Sequence, residues 1–299
     1  MSNYSQFGQA EWLLQLCRAL GINNGSVFEA GASSPHRISN ARCFLDHSWK
    51  AYLVEASAQS CEEWNLLGLP DAIVINESIK YVPDGLEKLL SSINAPADLD
   101  VMFLDVDGAE YQFLEGMVSF RPKFVCVEYD NSYPLSIDFV PKQMRHSVAS
   151  CQCSSMAIFR LMGQKGYTYV TSFCLDHIFI SNEFLDKKRT EFDRFDFAIG
   201  QQAFAKKAQK NLYNFESVLL NQDDNNGGSG IRFYRVKLQN LIDNGLIEEA
   251  RHYYWFLSQV FQAFRSVVSK TKVNCYQDAY IRELEDFDDC YSLMLLVAN

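Results

Sequence analysis

The chain contains no run approaching the roughly 20 consecutive apolar residues that a helix needs to cross a bilayer. Its first residues also lack a basic segment followed by an apolar stretch, so no secretory leader is expected. Both absences predict a soluble, cytoplasmic protein without a membrane span. Positive charge is in deficit: Lys and Arg total 27 against 37 Asp and Glu, a formal charge of -10. No overall positive field exists to gather a polyanion, which argues against a nucleic-acid partner. Disulfide spacing is missing as well. The nine cysteines are an odd number, and Cys17, Cys43, Cys126 and Cys174 fall inside apolar periodic segments, as reduced buried thiols do. Cys151 and Cys153 form a close pair without a second pair to complete a zinc site. The G-x-G-x-x-G turn of dinucleotide-binding sheets is also absent, replaced by G-A-S-S-P-H at residues 31–36.

What is present is enough apolar material for a full core: 48% hydrophobic and 14% aromatic content in 299 residues suits one large domain and a smaller one. Ala10, Leu13, Leu14, Cys17 and Leu20 recur at helical spacing over residues 7–20. Strand-like runs follow at 26–30, 51–55, 72–76, 101–105, 123–128, 167–173 and 177–181, the first five separated by helical patterns. That alternation predicts an α/β fold, a seven-stranded, mostly parallel Rossmann-like sheet covered on both faces. Only a few residues separate the last two runs, too few for a parallel crossover, so they predict an antiparallel edge hairpin.

Beyond residue 184 the strand pattern stops. The predicted division is a sheet domain over 1–190 and a helical domain over 191–299, with a flexible linker near 223–230 where Asp223 to Gly230 is polar and glycine-rich. A helix marked by Phe233, Val236 and Leu241 should stop at Asn244-Gly245. Another should carry one apolar stripe from Ala250 to Val268, and a last one a stripe from Tyr276 to Met294. Trp255 and Phe256 widen the apolar surface of the second, which makes a homodimer through this region an expectation.

Val27 to Ser33 joins an apolar run, the acid Glu29 and the turn at Gly31, and 24 residues beyond Gly31 the run Tyr52-Leu53-Val54 ends in Glu55. A strand feeding a glycine turn, with an acid closing the next strand, is the layout of a nucleotide-type cofactor site. The acid accepts hydrogen bonds from ribose hydroxyls. Further carboxylates cluster at Asp105, Asp107 and Glu110, joined by Glu128 and Asp130. Asp105 and Asp107 would point the same way if both belonged to one strand. Such a cluster is open to three readings: a cap on the helix starting near Ala109 or a cofactor contact, a general base for a hydroxyl, or an oxygen site for a divalent metal built from Asp105, Asp107 and Glu128. Residues 131–150 add Lys142, Arg145 and His146, which could hold an anionic group on an acceptor, with His146 as an alternative base. His177, at an edge strand, is expected to be structural.

Over residues 4–183 the chain resembles the FkbM-type family of class I S-adenosylmethionine-dependent methyltransferases. The resemblance is carried by Tyr4-Ser5-Gln6-Phe7-Gly8-Gln9, by Phe28-Glu29-Ala30-Gly31-Ala32, by Leu53-Val54-Glu55-Ala56, and by Leu104 to Tyr111. Arg121-Pro122-Lys123, Val127-Glu128-Tyr129 and Gly166-Tyr167 extend it. It implies S-adenosyl-L-methionine as cofactor. Glu29 would position the methionine amino group, and Gly31, Ala32 and Ser33 would form the turn against it. Glu55 and Ala56 would take the ribose, Glu77 and Ser78 would flank the adenine, and Asp105 would contact the cofactor. Asp107, Glu128 and His146 are the expected catalytic residues. The implied activity is O-methylation of a small polar acceptor, a sugar or nucleotide-sugar. A nicotinamide-dependent oxidoreductase and a non-catalytic interaction protein are the alternatives.

Overall fold

The computed structural model describes residues 4–130, 133–142, 152–173, 175–197 and 230–254, with backbone alone at 230–236. Seven strands form one sheet in the order β3-β2-β1-β4-β5-β7-β6. They are β1 (Ser26–Ala30), β2 (Lys50–Glu55), β3 (Ala72–Asn76), β4 (Val101–Leu104), β5 (Phe124–Glu128), β6 (Tyr167–Phe173) and β7 (Asp176–Ser181). The first five pair in parallel, while β7 runs antiparallel to both β5 and β6. This is the expected sheet, including its reversed edge hairpin.

The strands are apolar because most of them are buried on both faces. Val27, Ala51, Leu53, Val101, Phe103, Phe124 and Cys126 face one layer, and Phe28, Ala30, Tyr52, Val54, Met102, Leu104, Val125 and Val127 face the other. Helices α1 (Gln9–Ala19), α2 (Ala41–Leu45) and α3 (Ala58–Leu66) supply the first layer with Leu13, Leu16, Phe44 and Trp64. The second is supplied by α4 (Gly85–Ser92), α5 (Glu110–Gly116) and α6 (Ser155–Gln164), through Leu86, Leu90, Phe113 and Ile158. Residue parity along each strand therefore decides the layer. Glu29 has the parity of Val27, and its side chain enters the α1/α2 layer.

After β7 the described chain is helical: α7 (Asn182–Lys187), α8 (Arg189–Asp193), α9 (Gly230–Asp243) and a segment over 247–254. The expected stop at Asn244-Gly245 is present, with Gly245 at φ 75 and Leu246 N–H returning to the Leu241 carbonyl at 3.0 Å, a glycine C-terminal cap. This tail touches the sheet domain. The Lys237 ammonium pairs with the Asp130 carboxylate, both fully buried, and lies over the Tyr133 ring at 5.6 Å. Tyr253 packs on the same ring at 5.3 Å. The predicted linker at 223–229 and the apolar stripes beyond residue 254 lie outside the described residues. No helix among the described residues is long and apolar enough to cross a membrane.

Candidate functional site

Between β1 and β4 the strand order reverses direction, and in open α/β sheets that switch point opens a crevice at the carboxyl ends of the strands. Here the crevice is a cavity of about 440 Å³ lined from the ends of β1, β2, β3, β4 and β5. The volume lies within the usual range for small-molecule and cofactor sites.

The turn after β1 is fixed from three sides. Gly31 N–H and Ala32 N–H both donate to the Val54 carbonyl, at 3.0 and 3.2 Å, and Asp105 N–H donates to the Ala30 carbonyl at 3.2 Å. Gly31 has φ 80, and a Cβ there would stand 1.8 Å from the Asp105 carbonyl oxygen. The glycine is required by the approach of the β1 and β4 turns to each other. Where a second glycine would be expected, Ser33 takes the left-handed region at φ 47. Its N–H donates to Glu55 Oε2 at 2.8 Å and its carbonyl accepts from the Trp64 indole at 3.0 Å, so partners replace the missing glycine.

Glu55 lines the cavity, with Oε2 held by Ser33 N–H and Oε1 held by Ser57 N–H at 2.7 Å. Each oxygen keeps acceptor capacity for a hydroxyl. Beside it, Ala56, Glu77 and Ser78 are exposed lining residues, and Ile79 adds a buried apolar wall.

At the other end, Asp105, Asp107 and Glu128 also line the cavity, and their carboxylate oxygens lie within 4.8 Å of one another. They do not meet by strand alternation, because β4 ends at Leu104. Asp107 is instead turned back by a left-handed backbone at φ 57. Burial pushes Asp105 up to about 6, with Asp107 adding repulsion and a hydrogen bond from Glu128 opposing the rise. Burial, then the charges of Asp105 and Glu110, push Glu128 far above the carboxylate range. Both carboxylates are thus pushed toward their protonated forms, Glu128 the more strongly. Gln152 also donates its amide to Glu128.

Four residues singled out in the sequence are not among those that line the cavity. Glu29 does not line the cavity: its carboxylate is buried and accepts from Ser39 Oγ at 3.0 Å, Asn40 N–H at 2.7 Å and Ala41 N–H at 2.9 Å. Strand parity sends it to the start of α2, where it satisfies helix N-terminal donors. Ala32 is buried in the core beneath the turn and contributes only its backbone. Glu110 accepts from Val106 N–H at 3.1 Å and Gly108 N–H at 2.9 Å, so it builds the 105–109 turn from behind. Asp130 belongs to the Lys237 pair. His146 and Arg145 lie outside the described residues, and Lys142 is exposed.

His177 is buried between the hydroxyls of Ser155 at 2.6 Å and Ser172 at 2.7 Å, and stacks on Tyr129 at 3.8 Å. Burial lowers it to about 3, which keeps the imidazole neutral, in line with the structural role expected for it. Sequence reasoning missed Gln6, Ile38, Tyr81 and Leu175 as lining residues. Of these, only Gln6 fell inside a motif already singled out, and the motif carried no chemical role for it.

No family model and no curated protein matches the chain. Among solved structures, 130 chains match. The magnesium protoporphyrin IX methyltransferase of Synechocystis PCC 6803, solved with bound SAH, is 11% identical with a TM-score of 0.37, over 58% of this chain and 80% of its own. A putative methylase from Haemophilus influenzae is 16% identical with a TM-score of 0.35, over 58% and 88%. The Methanococcus jannaschii fibrillarin pre-rRNA processing protein is 12% identical with a TM-score of 0.34, over 54% and 67%. Likeness at this level carries no transfer of residue roles, and fold alone does not give function. What stands on the chain's own strand order is a Rossmann-like α/β fold, a seven-stranded, mostly parallel sheet with an antiparallel edge hairpin.

Proposed function

We propose that this chain binds S-adenosylmethionine and transfers its methyl group to a hydroxyl of a small polar acceptor. The observation that carries the reading is one cavity with Glu55 at one end and the Asp105, Asp107 and Glu128 carboxylates, within 4.8 Å of one another, at the other. When bound, the cofactor supplies a sulfonium methyl that is open to in-line displacement. The protein's task is then to align donor and acceptor and to take up a proton. Glu55 would hold the ribose hydroxyls, and Glu77, Ser78 and Ile79 would border the adenine. Asp105, ionised above pH about 6, is placed to accept the acceptor's proton, while protonated Glu128 steadies its charge. Asp107 borders the same point. A sugar or nucleotide-sugar acceptor rests on the FkbM-type motifs alone.

A second reading of the same carboxylates is a divalent metal site, favoured by the 4.8 Å clustering of Asp105, Asp107 and Glu128. An ion would displace the proton from Glu128, so proton release on magnesium titration supports it and its absence rejects it. For the cofactor itself, thermal shift with S-adenosylmethionine, S-adenosylhomocysteine and NAD decides. Stabilisation by the first two and not by NAD is expected, since a ligand of the native state raises its stability. Stabilisation by NAD alone would return the oxidoreductase.

A further inference from the structure

Residues 4–9 bring Gln6 into the lining of the cavity and are tied down on both sides. Tyr4 N–H and Ser5 N–H donate to Glu11 Oε1 at 2.8 and 3.2 Å, and the Ser5 hydroxyl donates to Glu11 Oε2. Phe7 N–H donates to the Gln9 side-chain oxygen at 2.9 Å, and the Gln9 amide donates to Asp176 Oδ2 at 3.0 Å. Asp176 is the register partner of Glu128 across β5 and β7, so this anchor sits at the acid-pair end. Ser5 and Phe7 are buried, which leaves Gln6 between them half-buried and lining the cavity. Among the described residues the Gln6 carboxamide has no hydrogen-bond partner. A fixed segment thus presents one polar group, unspent, to the site.

We propose that Gln6 binds the amino-acid end of S-adenosylmethionine, with residues 4–9 as a strap that holds it there; this rests on the methyltransferase reading. With Glu55 and Glu77 taking the adenosine over β2 and β3, the methionyl end extends toward β4 and β5, where the strap is anchored. That end carries a carboxylate and an ammonium. Asp105 and Asp107 suit the ammonium but repel the carboxylate, so the carboxylate needs a hydrogen-bond donor of its own. A carboxamide offers two donors and an acceptor, which matches a zwitterion.

The test compares S-adenosylhomocysteine with 5′-methylthioadenosine, which keeps the adenosine and thioether but lacks the amino-acid group. Calorimetry uses the full-length wild type, Gln6→Met, Gln6→Glu and Glu55→Ala. Gln6→Met, of similar length, should weaken S-adenosylhomocysteine by about tenfold, as loss of a hydrogen bond to a charged group does, and leave methylthioadenosine within about twofold. Gln6→Glu should weaken the former further by repelling the carboxylate. Glu55→Ala should weaken both ligands. Equal loss for both ligands in Gln6→Met, or loss for neither, overturns the proposal while the methyltransferase reading stands. Failure of the wild type to bind either ligand overturns both together.

Discussion

Replacing Gly31 with alanine separates a structural requirement from a cofactor contact. The residue sits at φ 80, and the added Cβ would stand 1.8 Å from the Asp105 carbonyl oxygen. Left-handed backbone costs a side-chain-bearing residue about 1–2 kcal/mol. Overpacking against a fixed backbone atom adds about 1–3 kcal/mol. The carbonyl cannot swing aside freely, because the Asp105 N–H is bonded to Ala30 and its peptide begins the turn that Glu110 holds from behind. Gly31→Ala should therefore destabilise the protein by about 3 kcal/mol, which in a domain of this size lowers the melting temperature by about 6–12 °C. Urea denaturation followed by tryptophan fluorescence measures it without ligand. Weakened S-adenosylhomocysteine binding should accompany the loss, because the same shift moves Asp105. A variant with unchanged stability and lost binding would show that the glycine serves the cofactor directly and would refute the reasoning.

Glu29 is raised to about 7 by burial, against the opposing hydrogen bonds from Ala41, Asn40 and Ser39. Its folded form thus holds a proton longer than the unfolded chain does, and the stability it contributes falls as pH rises from about 4.5 to 7, by up to about 3 kcal/mol. Glu29→Gln should flatten that part of the stability profile measured by denaturant titration; an unaltered slope would remove Glu29 as its source. Methyl transfer should rise with pH up to about 6 and then level off as Asp105 ionises, and Asp105→Asn should abolish both the limb and most of the rate. A wild-type profile flat between pH 5 and 7 would argue against Asp105 as the base. Lys237→Met should cost about 3–5 kcal/mol by removing the ion-pair partner of buried Asp130, with the double variant Lys237→Met/Asp130→Asn recovering most of it. A double variant no more stable than Lys237→Met alone would contradict the pairing.

The strands were readable because burial on both faces turns each into an uninterrupted apolar run, as in Val101-Met102-Phe103-Leu104 and Phe124-Val125-Cys126-Val127. Glu55 was readable because its position one strand beyond the glycine turn is set by chain length alone. Glu29 was assigned to the crevice from its place near a strand end, although its parity with Val27 already pointed to the α1/α2 layer. For Asp105 and Asp107 a two-residue alternation was applied past the last strand residue, Leu104, where the backbone turns left-handed. Gln6 was beyond reach for a different reason. The segment that carries it is anchored by a hydrogen bond between Gln9 and Asp176, 167 residues apart, and no local pattern encodes so distant a contact.

The placement of β7 between β5 and β6 has a consequence for the order in which the molecule can assemble during synthesis. Strands β1 to β5 can pair as soon as residue 128 is available, leaving β5 as an open edge. Its neighbour in the finished sheet is not the next strand made: β6 emerges earlier but can be seated only beside β7. Until residue 181 has left the ribosome, β5 presents unpaired backbone groups, the kind of edge on which chains aggregate. Asp176 arrives in that same late strand, and the Gln9 anchor must wait for it. The half of the cavity nearest Glu55 can therefore form well before its opposite end, and a nascent chain stalled short of β7 would hold a crevice without its strap.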